Sequence, residues 1–174
     1  KNNKTGSDRI FEAFKLLNNN NIDFIMNIQG DEPDIDINDI RTLDNMMKKN
    51  NARIGTLASI IDNPKIYENE NIVKVKIKES FNKNSFPQAE NFMRKTRDKE
   101  NIFHHMGVYC YEVEALKKFI SFNQSKNELK NKLEQLRALD NNIDINVALA
   151  KKSPIGVDTK EDYLALKKKM KYIK

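Results

Sequence analysis

Residues 22–33 read IDFIMNIQGDEP: a short apolar run, then a glycine, two adjacent carboxylates and a proline. A run of this length bounded by turn signals is the pattern of a strand buried on both faces. Pro33 then fixes a turn at the strand's C-terminal end. In open α/β sheets ligands bind beyond the C-terminal ends of strands. Asp31 therefore stands where a ligand is expected, either as a turn residue or as an oxygen ligand for a hard cation.

The periodicity around this stretch gives an alternation of helices and strands. TGSDRIFEAFKLLNNNN reads as an amphipathic helix capped by Ser7 or Asp8, with Ile10, Phe11, Phe14 and Leu17 inward. INDIRTLDNMMKKN gives a second helix, and ARIGTLASII and NIVKVKI give strands. The polar stretch 79–100 is irregular around a strand at AENFMR. HHMGVYCY is a strand, EVEALKKFISF and NELKNKLEQLRALDNN are helices, IDINVALA is a strand and TKEDYLALKKKMKYI a closing helix. The expected fold is one α/β domain, residues 1–174, with a mixed, mostly parallel sheet flanked by helices and some antiparallel pairing near HHMGVYCY.

Composition narrows the function. The chain has 174 residues, 39% hydrophobic and 32% charged, which suits one globular domain. Its net charge of +6 is scattered except for KKKMKYIK at Lys167–Lys174, which reads as a solvated helix face rather than a nucleic-acid patch. The single cysteine, Cys110, permits no internal disulfide and reads as a packing residue in a reducing cytoplasm. No stretch reaches the roughly 18 apolar residues of a membrane span. Two adjacent histidines and one cysteine do not make a zinc site of the usual spacing. No G-x-S-x-G elbow or Walker loop is present.

Several residues remain as candidates for chemistry. Asp158, in PIGVDTKED before the last helix, pairs with Asp31 as a possible Mg²⁺ site, although Asp158 with Glu161 also fits a capping box. His104 and His105 open a strand and must point to opposite faces. Arg94 follows Phe92 and Met93, where a guanidinium can take a carboxylate or phosphate in bidentate fashion. Glu134 and Gln135 sit in KLEQLRAL beside a stripe of Leu133, Leu136 and Leu139.

TGSDRI, NIQGDEP, NIVKVKI, AENFMRK, HHMGVYCY, KLEQLRAL and PIGVDTKEDY occur in the order of one family. The chain resembles the 3-deoxy-manno-octulosonate (Kdo) cytidylyltransferases over nearly its whole length. The resemblance implies a Rossmann-like, three-layer fold of the nucleotide-diphospho-sugar transferase type. It implies transfer of CMP from CTP to the sugar acid Kdo, with release of pyrophosphate, for lipopolysaccharide synthesis in the cytoplasm. It further implies Mg²⁺ on Asp31 and Asp158 as the catalytic pair, Gln29 in the nucleotide and sugar site, and Arg94, His105, Glu134 and Gln135 against Kdo. Thr5, Ser7 and Arg9 match a segment near the nucleotide, and a homodimer is implied. Where this chain has Asn91-Phe92-Met93-Arg94, the family usually has Tyr-Phe-Ser-Arg, and Phe81 to Gln88 departs from its pattern. Family members also begin with a basic strand–loop that grips the triphosphate. The expectation is that this segment is missing here, leaving a chain that is inactive and poorly folded alone. A cytidylyltransferase for another sugar acid, such as sialic acid, is the alternative reading.

Overall fold

Thr5 opens the first helix. Its hydroxyl accepts the Asp8 N–H while the Asp8 carboxylate accepts the Thr5 N–H, closing a capping box at the start of α1 (Gly6–Leu17). The cap is thus two residues before Ser7 and three before Asp8. Ser7 is freed to turn inward, and it is buried. The computed structural model describes residues 5–19, 21–30, 32–82, 85–153 and 160–170.

The remaining elements follow the expected order. They are β1 (Phe24–Asn27), α2 (Ile37–Asn50), β2 (Ile54–Ser59), a 3-10 turn (Pro64–Glu68), β3 (Lys74–Ile77) and β4 (Ala89–Met93). After these come β5 (Ile102–Glu112), α3 (Val113–Ser121), α4 (Lys126–Asn131), α5 (Leu136–Asp140), β6 (Ile145–Leu149) and α6 (Lys160–Met170). The strands form one mixed sheet in the order β4-β3-β5-β2-β6, with β1 also pairing β5.

The balance of the sheet differs from the mostly parallel expectation. Among the described residues only β2 and β6 pair in parallel, whereas β5 takes β1, β2 and β3 in antiparallel register and β3 takes β4 likewise. The cause is the length of β5. Its eleven residues let one strand serve β3 near its start and β1 near its end, with β2 along the other side. Because β1 has β5 as its one described neighbour, its residues are half-buried rather than buried on both faces.

Two apolar layers flank the sheet. On one face Ile54, Ala58, Val75, Phe92, Tyr109 and Tyr111 pack against α1, α3 and the α4–α5 region through Ile10, Phe11, Leu116, Phe119, Leu133 and Leu136. On the other, Leu57, Met106, Val108, Cys110 and Ala148 meet Leu43 and Met47 of α2. Leu17, expected inward, is exposed at the end of α1. Burial pushes the Cys110 thiol up to about 12, which makes it the inert packing residue expected.

The segment 126–140 is not one helix. Lys132 adopts a left-handed conformation (φ 53°) that ends α4, and α5 begins afresh at Leu136. A lysine in this region is disfavoured. The position is held from outside by Arg94, whose Nε, Nη1 and Nη2 donate to the carbonyls of Asn131, Glu70 and Lys132 at 2.9, 3.0 and 3.0 Å. Lys74 does similar work nearby. Its ammonium is wholly buried and donates to the carbonyls of Asn69, Ile72 and Arg94.

Candidate active site

The site is built along one face of β5. Alternation places His105, Tyr109 and Tyr111 on the same side, and their rings form a ladder that continues beyond the strand. Phe92 meets His105 edge-on at 5.0 Å, His105 lies 5.5 Å from Tyr109, Tyr109 stacks on Tyr111 at 5.7 Å, and Tyr111 on Phe119 at 6.3 Å. The Arg137 guanidinium closes the ladder, 4.8 Å from the Phe119 ring centre.

β5 is irregular at the centre of this face. Thr56 of β2 pairs with Tyr109 but Leu57 pairs with Met106, so Gly107 and Val108 stand outside the ladder. The Thr56 hydroxyl donates to the Val108 carbonyl at 2.7 Å and lies 3.0 Å from His105 Nε2. Since that hydroxyl has one hydrogen, His105 is assigned the tautomer that carries its proton on Nε2 and donates to Thr56. Burial, reinforced by His104, lowers the His105 imidazole to about 3, so it works as a neutral group in the physiological range. His104 points to the opposite face, as the strand period requires. There its Nδ1 meets the Ser153 hydroxyl at 2.7 Å, and Ser153 in turn bonds Ser59.

Two carboxylates approach the ladder from loops. Glu134 lies between α4 and α5, in the break that Lys132 creates. Its Oε1 is 3.7 Å from Arg137 Nη2, and its Oε2 would be 3.7 Å from a Cβ placed on Gly6 at the start of α1. Arg137 itself is held by the buried Glu128, with contacts of 2.8 Å and 2.5 Å. Glu32 arrives from the turn after β1, where its Oε1 accepts the Gly107 N–H at 3.0 Å. Gln29 of the same turn lies against Gly107 as well.

Tyr109 is the group this arrangement leaves unsatisfied. Its phenol is 8% exposed, and among the described residues its oxygen has no hydrogen-bond partner. Burial pushes it well up, with Tyr111, Glu134 and Glu32 adding in the same direction, so it remains a neutral O–H donor. Glu134 Oε1 also lacks a hydrogen-bond partner among the described residues. A buried donor and a buried acceptor are thus both left open, and each is a group that a polar ligand can satisfy.

The residues singled out from sequence are placed unequally. His105 and Glu134 lie near Tyr109, and Gln29 lies against Gly107, two residues before it on the same strand. Gln135 is adjacent to Glu134 at the N-terminus of α5 but has no capping bond there. Ser7 reaches the other end of the ladder, with its hydroxyl 3.4 Å from that of Tyr111. Thr5 is occupied by its capping box, Arg9 is exposed, and Arg94 is engaged by three carbonyls, leaving two of its five N–H groups for any ligand. Asp31 and Asp158 lie outside the described residues. Tyr109 and Thr56 were not singled out from sequence, and Glu32, noted there beside Asp31, had no role assigned. The signal for Tyr109 was available, because it lies four residues beyond His105 on an alternating strand and must share its face.

The architecture and this site match a class of enzymes first. The structure superposes with a TM-score of 0.84 on CMP:2-keto-3-deoxy-manno-octonic acid synthetase complexed with CTP, at 26% identity over 98% of this chain and 69% of that one. A 4-diphosphocytidyl-2C-methyl-D-erythritol synthase from Anaerococcus prevotii shares the fold, with a TM-score of 0.61 at 12% identity over 97% of this chain and 68% of that one. The fold is thus that of a nucleotidyltransferase. Sequence comparison then narrows it, since the family described as cytidylyltransferase matches residues 1–145. The 3-deoxy-manno-octulosonate cytidylyltransferase of Rickettsia prowazekii is 37% identical over 98% of this chain and 66% of its own length. That of Bartonella tribocorum is 38% identical over 95% of this chain and 68% of its own. The chain belongs to the 3-deoxy-manno-octulosonate cytidylyltransferase family and, by these figures, spans about two thirds of the length of its relatives.

Proposed function

We propose that the protein transfers CMP from CTP to 3-deoxy-manno-octulosonate and releases pyrophosphate. The observation that carries this reading is the pair of open buried groups, the Tyr109 phenol and Glu134 Oε1, neither of which has a hydrogen-bond partner among the described residues. A sugar acid offers the complementary groups. Its hydroxyls and carboxylate accept from the phenol, and its hydroxyls donate to Glu134. Neutral His105, fixed by Thr56, holds one wall of that pocket, and Gln29 faces it from the turn after β1.

The reaction is an in-line displacement. The anomeric hydroxyl oxygen bonds to the α-phosphorus of CTP, the bond from that phosphorus to the bridging oxygen breaks, pyrophosphate leaves and the hydroxyl proton is lost. The chain's residues contribute mainly by placing that hydroxyl.

Mg²⁺ suits the acids that the sequence supplies. Glu32 directs one carboxylate oxygen to Gly107, and Gly30 faces open space, with no atom within 4 Å of where a Cβ would stand. Asp31 and Asp158 with phosphate oxygens are the few-carboxylate donor set that Mg²⁺ takes. The ion, when bound, would neutralise charge on the triphosphate.

Supply of activated sugar to lipopolysaccharide synthesis, a cytoplasmic location and a homodimer complete the reading through the family. Among the described residues no helix is long and apolar enough to cross a membrane.

Tyr109→Phe tests the pocket. It is expected to raise KM for the sugar acid about three- to tenfold, the worth of one neutral hydrogen bond, while KM for CTP stays unchanged. Because the phenol has no partner among the described residues, the same change should leave the unfolding temperature equal or higher. A lowered unfolding temperature with unchanged KM would show that the phenol serves the fold instead.

A further inference from the structure

The turn that follows β1 is fastened to the sheet by Glu32. The Glu32 N–H closes the turn on the Gln29 carbonyl, and its own carbonyl accepts the Ile35 N–H, both at 3.3 Å. Its side chain reaches across 75 residues of sequence to take the Gly107 N–H at 3.0 Å. That N–H is available because Gly107 stands outside the β2–β5 register. A hydrogen bond from a backbone N–H to a carboxylate is charge-assisted and among the stronger ones a protein makes.

Gly107 contributes a second feature. A Cβ at this position would stand 3.1 Å from Gln29 Nε2, 3.3 Å from Gln29 Cδ and 3.4 Å from Glu32 Oε1. The two side chains therefore lie on bare backbone, in space that any larger residue would take. The turn is anchored at one end by a hydrogen bond and seated at the other by the absence of a side chain.

We propose that Glu32 is a positioning residue. By holding the Gln29–Glu32 turn on Gly107, it sets where Gln29 meets the substrates, and Gly107 is matched to it as the seat. The inference rests on the reading above that Gln29 faces the substrates.

Glu32→Ala, Glu32→Gln, Gly107→Ala and Gln29→Ala in the natural polypeptide test it. Two readouts are needed: kcat and KM for CTP and the sugar acid, and hydrogen exchange at the residue 107 amide. Glu32→Ala is expected to lower kcat/KM by about tenfold or more and to speed exchange at Gly107 by a similar factor. Glu32→Gln, whose amide oxygen still accepts from Gly107, should recover both to within about threefold of wild type. Gly107→Ala should unfold at nearly the wild-type temperature, since the atoms it displaces belong mostly to one exposed side chain, yet lose about tenfold in kcat/KM. A purely structural role would move stability and activity together in that variant.

Wild-type exchange at Gly107 in Glu32→Ala overturns the inference. So does unchanged kcat/KM in Glu32→Ala alongside a defective Gln29→Ala. A Gln29→Ala variant with wild-type kinetics overturns the reading of Gln29 itself, and the inference with it. Should Glu32→Ala fail to fold, Glu32→Gln and Gly107→Ala carry the same comparison.

Discussion

Replacing Arg137 by alanine is expected to destabilise the fold by about 3–5 kcal/mol, the largest stability effect of any substitution considered. The side chains of Arg137 and Glu128 are 3% and 4% exposed and meet in a two-pronged contact. Removing the guanidinium leaves the Glu128 carboxylate buried without its cation, a greater loss than the net worth of the pair. The same change removes the cap of the aromatic ladder at Phe119 and the cation beside Glu134. Glu128→Gln should be milder, because the amide oxygen still accepts from Arg137. Urea unfolding of the three proteins measures the difference directly.

The pair also sets an acid limit. Burial pushes the Glu128 carboxyl up, but the hydrogen bond and charge of Arg137, with Gln124 and the Ser125 N–H, outweigh it and hold the group below its usual value. A carboxyl depressed in the folded state lends stability that is fully present above its unfolded value near 4.5. That share is lost as pH falls through the folded value. In Arg137→Ala the depression should vanish, so the variant's deficit should narrow in acid.

Asp158→Asn is the substitution with the largest expected effect on activity. If Asp31 and Asp158 hold Mg²⁺ against the triphosphate, loss of one carboxylate should lower Mg²⁺-dependent turnover by at least on the order of a hundredfold. The unfolding transition should stay in place, since the substitution is isosteric. Asp31→Asn should match it, and the double substitution should be little worse than either, because the two act as a unit. Wild-type turnover in either single variant would remove that residue from the metal site. Mn²⁺ binding in the presence of CTP, followed by electron paramagnetic resonance, gives the same comparison without turnover.

Much of this organisation was legible in the residues because local patterns carry it. Strand period placed His104 and His105 on opposite faces, and NIQGDEP marked the turn at the C-terminal end of β1. What escaped was set by contacts distant in sequence. The mostly parallel sheet was inferred from helix–strand alternation. That alternation does not reveal that one eleven-residue strand, β5, binds three others in antiparallel register. The helix expected across 127–142 has no glycine or proline to mark its break at Lys132. Arg94, far off in sequence, grips the carbonyls there. Lys74 was not singled out in its strand, and three distant or neighbouring backbone carbonyls allow its complete burial. Glu32 was visible as an acid next to Asp31, but its role depends on an N–H that only the irregularity in β5 releases.

Arg94 shows how a motif and its geometry can separate. The resemblance assigns it to the sugar, while in the structure it joins the β4 end to the α4–α5 break and the Glu70 turn. Through that break it determines where Glu134 and Gln135 stand. Its influence on the pocket therefore passes through the backbone as well as through any hydrogen bonds its two remaining N–H groups make.

The groups around Tyr109 and Glu134 are proposed to receive a 3-deoxy-manno-octulosonate molecule that takes CMP from CTP. The direct measurement is product formation by the polypeptide as its cell makes it, with CTP, Mg²⁺ and either this sugar acid or sialic acid, read by mass spectrometry and pyrophosphate release. The expected result is CMP-3-deoxy-manno-octulosonate with equimolar pyrophosphate, and no comparable product from sialic acid. No CMP-sugar from the octulosonate, or a preference for sialic acid, would contradict it.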